Sequence, residues 1–89
     1  MSLQVPNFTS KEYEEALRYL GFQIDDTKGK GKHNKAKVPR TVKISPGQRN
    51  FIMIPNDKNP GPDLKARLIR ELLQFGFTKE QLIEALKNS

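Results

Sequence analysis

A chain of 89 residues suffices for one small domain with a modest core and leaves no material for a second, so a single domain is expected over 1–89, with its ordered core at about 8–87. There is no cysteine and only one histidine, His33, which excludes disulfides, thiolate metal sites and a histidine-built zinc centre; no cofactor and no metal are expected. The formal net charge is +6, no run approaches the roughly 20 apolar residues of a membrane span, and "MSLQVPNFTS" lacks the basic-then-apolar order of a signal peptide, so a cytoplasmic protein is expected.

The first element opens at Thr9. Thr9-x-x-Glu12 is a capping box, and Phe8 and Tyr13 stand at the two positions of a hydrophobic staple. Tyr13, Ala16, Leu17 and Leu20 fall at i, i+3, i+4 and i+7, which predicts a helix ending at Leu20, with Gly21 as its left-handed cap and Phe22 folding back onto Leu17. Phe22 and Ile24 then alternate with polar neighbours as a strand does, and "DDTKGKGK" supplies a glycine-rich hairpin turn.

A second strand is expected from about Lys32. The period of two puts His33, Lys35 and Lys37 on one face and Asn34, Ala36 and Val38 on the other; the small and apolar set should face the helices, leaving His33 on the open, basic face. Pro39 should bend or interrupt this strand, "TVKI" is expected to resume extended structure, and Ser45-Pro46-Gly47-Gln48 fits a type II turn. "NFIMIP" is the most apolar run in the chain and is expected to be the central, best buried strand.

"NDKNPGP" reads as a loop, with Pro62 as the first residue of a second helix. Leu64, Leu68, Leu72 and Phe75, widened by Ala66, Ile69 and Leu73, predict the main lid on the sheet. It should stop at Gly76, with Leu72 and Phe77 at the contact positions of another glycine-closed end. Thr78-x-x-Gln81 is a second capping box, Phe77 and Leu82 its staple, and "QLIEAL" a short terminal helix. Helices on one face of a mostly antiparallel sheet predict a two-layer α+β domain.

The charge is segregated. Between Thr27 and Asn56 stand Lys28, Lys30, Lys32, Lys35, Lys37, Arg40, Lys43 and Arg49 and no acid, and the rest of the chain is slightly acidic. A segregated basic middle is the footprint of a surface that meets polyphosphate; a solvated lysine face that keeps the protein soluble is the alternative. Within that window "GKGKHNK" is neither a Walker loop nor a dinucleotide fingerprint, because the required Gly-Lys-Ser/Thr and third glycine are missing. What remains is a basic hairpin whose glycines let the backbone approach a phosphodiester. Neighbouring positive charge disfavours the imidazolium, so His33 is expected to be neutral near pH 7 and able to accept a proton. Such a group can take the proton from an RNA 2′-hydroxyl or give one to a leaving oxygen while nearby lysines stabilise charge on the phosphorane. A lone histidine in a surface hairpin is usually just a polar residue, in which case the hairpin would only bind RNA.

The helix running into "YLGF", the Gly31-x-His33 segment of "GKGKHNK", the strand ending in Pro55 and "PGPDLKARLIRELLQFGFTKEQL" together resemble the HicA family, the small toxins of bacterial toxin–antitoxin pairs. The resemblance covers most of the chain. It implies a double-stranded-RNA-binding-domain-like α-β-β-β-α fold with an additional short C-terminal helix, and a metal-independent endoribonuclease acting on messenger RNA. It also implies His33 in the place of the catalytic histidine, Gly31 as the motif glycine, and a HicB-like antitoxin as inhibitory partner. Lys28, Lys30, Gly31, Lys32, Lys35, Lys37 and Arg40 are the residues expected to hold single-stranded RNA. Lys32 stands where the family usually has a small hydroxyl residue and Asn56 where a histidine commonly follows the proline, and the stretch from Pro39 to Gln48 is longer than usual.

Overall fold

The computed structural model describes residues 4–25, 34–55 and 59–88. Its first element, α1 (Ser10–Tyr19), begins where the capping box sets it: Thr9 Oγ1 accepts from the Glu12 N–H at 3.1 Å, and Glu12 Oε1 accepts from the Thr9 N–H at 2.8 Å. Phe8 and Tyr13 stack with centroids 5.4 Å apart, closing the staple. The helix ends because Gly21 adopts φ 99°: the Gly21 N–H donates to Arg18 O at 3.0 Å and the Phe22 N–H to Leu17 O at 2.9 Å. These two bonds are the Schellman pair, and they satisfy carbonyls the helix end would leave open.

Three strands follow, β1 (Gln23–Asp25), β2 (Asn34–Lys37) and β3 (Phe51–Ile54), then α2 (Pro62–Gln74) and α3 (Lys79–Asn88). The described residues thus form a small α+β domain with an antiparallel sheet of order β1-β2-β3. The register sets Ile24 opposite Ala36 and Ala36 opposite Ile52 on the inward row, and Gln23, Lys37 and Phe51 in line on the outward one.

Two expectations about the sheet are corrected. The apolar run does not supply the central strand: β3 is an edge, and β2 is central because consecutive hairpins form a meander whose middle strand pairs on both sides. "TVKI" forms no strand either. Pro39 has no N–H to donate to the ladder, and the Val42 N–H donates back to Pro39 O at 3.0 Å, which turns the chain away. Farther on, the Ser45–Gln48 turn forms as read, with Gly47 at φ 85° and the Gln48 N–H donating to Ser45 O at 3.0 Å.

The core joins Tyr13, Ala16 and Leu17 of α1 to Ala36, Ile52 and Ile54 of the sheet and to Leu68, Leu72, Leu82 and Ala85 of the other helices. α1, rather than α2, is the element that binds these parts together: it packs on β1, β3 and extensively on α3, while the main sheet contact of α2 is with β3. The core also encloses a polar group. The Tyr13 hydroxyl donates to Leu68 O at 2.8 Å, bridging α1 to the backbone of α2. Burial, with Glu71 close by as the smaller cause, holds that hydroxyl's pKa far above its ordinary value. Helix α3 is as long as α1, ten residues, rather than short; its capping box forms, Thr78 Oγ1 accepting from Gln81 N–H at 3.1 Å and Gln81 Oε1 accepting from Thr78 N–H at 2.8 Å.

Candidate nucleic-acid interface

Because Ala36 faces the helices and is fully buried, the pleat sends Lys35 and Lys37 outward, and both are exposed. They occupy the central strand, so they stand in the middle of the outward face. Across from them, the register places Gln23 and Phe51 opposite Lys37, and Asp25 and Met53 opposite Lys35. Arg40, in the turn after Pro39, is exposed, as are Lys43 and Arg49 on the connection to β3. Of the expected RNA-contacting residues, Lys35, Lys37 and Arg40 are thus described and exposed, the two lysines together on the outward face of β2. Lys28, Lys30, Gly31, Lys32 and the expected catalytic His33 lie outside the described residues; His33 directly precedes Asn34, the first residue of β2.

The charged surface holds a group that pattern reading passed over. Lys35 Nζ lies 4.9 Å from the centroid of the Phe51 ring and Arg49 Cζ lies 5.6 Å from it. Arg49 is in turn fixed by Glu71 of α2, its Nη2 donating to Oε1 at 2.8 Å. The ring is half-buried at the edge where β3 meets α2, with Gln74 and Phe75 lining the same shallow cleft. A signal for this existed. If Ile52 and Ile54 are the inward pair of "FIMI", Phe51 and Met53 must face out, but treating the whole run as buried hid the alternation.

Among the described residues no three His, Cys, Asp or Glu side chains gather as a metal ion would require, and no helix is long and apolar enough to cross a membrane. What the arrangement offers chemically is a set of cations on a rigid central strand, with one aromatic ring among them. Comparison with protein-family models, with curated proteins and with solved structures finds no significant match. The class defined by fold and surface is a small α+β domain with a basic outward sheet face.

Proposed function

We propose that the protein is a HicA-like messenger-RNA interferase, a cytoplasmic toxin of double-stranded-RNA-binding-domain-like fold that is held inactive by a HicB-like antitoxin. The observation that carries this reading is the placement of Lys35 and Lys37 on the outward face of the central strand that begins immediately after His33. Backbone phosphates held there would engage the strand that His33 directly precedes in the chain. Acting as base, His33 takes the proton of a 2′-hydroxyl; the 2′-oxygen attacks the adjacent phosphorus, lysine ammonium groups stabilise the charge on the phosphorane, and the P–O5′ bond breaks as the 5′-oxygen takes a proton from Lys32, Lys35 or a water. The chemistry needs no metal ion. This reading assigns Lys28, Lys30, Lys32 and Arg40 to the RNA backbone as further cations, with Gly31 as the glycine of the histidine motif.

The test is cleavage of a long, weakly structured RNA by the purified protein in EDTA, beside His33→Ala at matched concentration. Cleavage by the wild type alone supports the interferase. Binding by both with cleavage by neither would replace it with a non-catalytic RNA-binding module, the reading that the cation-flanked Phe51 ring independently favours. Equal cleavage by both would remove His33 from the chemistry.

A further inference from the structure

We infer that Phe51 is a stacking platform for an unpaired nucleobase, with Lys35 covering the ring until a base arrives and then turning to the neighbouring phosphate. This rests on the RNA-binding reading above and extends it from phosphates to bases. Three features of the site point to it. The ring belongs to the outward row of the sheet, directly opposite Lys37 in the register, so it lies beside an exposed cation that can hold a backbone phosphate. It is half-buried against α2, which fixes its plane in advance and lowers the ordering cost of stacking. Its cationic neighbours are unequal: Arg49 is tethered to Glu71, whereas Lys35 stands exposed on the adjacent strand.

That inequality gives the exchange its direction. A cation–π contact at an exposed site is a weak interaction, and a base stacked on an aromatic ring is a stronger one. A base can therefore displace the lysine ammonium, which loses a weak contact and gains a charge-assisted one to phosphate. Arg49, held in place, would border the base with its guanidinium. Stacking of this kind needs an unpaired base, since the faces of paired bases are covered within a duplex. The surface would then select single strands without reading their sequence, because every base has a face to offer.

The experiment is equilibrium binding, by fluorescence anisotropy, of a labelled 2′-O-methyl oligouridylate, which cannot be cleaved through its 2′-oxygen, and of an abasic oligomer of equal length and charge. The full-length wild type is expected to bind the uridylate about 5- to 100-fold more tightly than the abasic strand. Phe51→Leu, which keeps an apolar side chain at the strand edge, is expected to remove that preference while leaving abasic binding unchanged. Phe51→Trp supplies a second readout, because the chain has no tryptophan of its own: its emission should be quenched by the uridylate and not by the abasic strand. A wild type that binds both strands equally, a Phe51→Leu variant that retains the preference, or an unquenched Phe51→Trp would overturn the stacking platform and leave phosphate binding standing. A wild type that binds neither strand would bring down the RNA-binding reading and the platform with it.

Discussion

The rings of Phe22 and Phe77 meet with centroids 5.4 Å apart and planes tilted by 39°, and each follows a glycine that ends a helix at positive φ. The left-handed glycine reverses the chain, so the next side chain falls back over the helix just ended. Here two such side chains fall onto each other, and the exits of α1 and α2 become one piece of core. Gly21→Ala puts a β-carbon on a residue at φ 99° and is expected to cost about 1–2 kcal/mol, read as a lower urea midpoint at unchanged slope. Gly21→Asn should lose clearly less, because asparagine tolerates that conformation. Equal loss by both would mean that the contact a β-carbon makes with Pro39, 3.4 Å away, and not the dihedral, sets the requirement.

Tyr13 predicts an alkaline limit to stability. Its hydroxyl is a buried donor whose pKa is raised from 10.0 by burial first and by Glu71 second. A raised folded value means that the contribution is complete below the unfolded pKa. Above about pH 10 only the unfolded chain readily gives up the proton, so stability falls by about 1.4 kcal/mol per pH unit. Tyr13→Phe deletes both the hydrogen bond to Leu68 O and the titration. At pH 7 it should be less stable than wild type by about 0.5–1.5 kcal/mol; about one pH unit above 10 the two should cross, with the variant more stable beyond. Parallel curves of denaturation midpoint against pH would refute the assignment.

Adjacent leucines on α2 separate a core face from a surface one. Leu72 is 0% exposed and Leu73 36%. Leu72→Ala is expected to cost about 2–5 kcal/mol, as is Leu68→Ala, which threatens a domain of this size. Leu73→Ala should stay within about 0.5 kcal/mol of wild type. Chemical denaturation of the three variants would check the orientation of the helix, and a large loss at Leu73 would mean that this part of α2 is covered.

What could be read from the sequence was mostly local. Both capping boxes, the stacked Phe8–Tyr13 staple, the glycine stop after Leu20 and the Ser45–Gln48 turn depend on residues within a few positions of each other, and each forms. The alternation that turns Lys35 and Lys37 outward and Ala36 inward belongs to the same class. Order within the sheet does not, since hydrophobicity reports how far a strand is buried and not which neighbours it pairs with. "FIMI" is an edge strand made apolar by α1 and α2 packing beside it. The bond from Tyr13 to Leu68 O and the Arg49–Glu71 tether join residues 55 and 22 positions apart, and no periodicity announces them. For the candidate site, the alternation made the outward lysines of β2 legible, while the Phe51 cluster needed the register between β2 and β3.

Salt dependence should rank the cations of the outward face. Each phosphate contact to a single strand contributes about 0.7 to the slope of log affinity against log salt. Lys35→Ala and Lys37→Ala remove exposed cations from the central strand, and each is expected to flatten the slope by about that amount while weakening binding to all RNA sequences alike. Arg49 differs because Glu71 lies at 2.8 Å and offsets part of its charge, so Arg49→Ala should change the slope by much less. Its cost in stability should also be small, about 0–1 kcal/mol, since its side chain is 53% exposed and solvent screens the pair. The measurement is a salt titration of oligouridylate binding for the wild type and the three variants. If Arg49→Ala flattens the slope as strongly as Lys37→Ala, the Glu71 pair opens on binding, and Arg49 reaches a phosphate instead of staying beside Phe51.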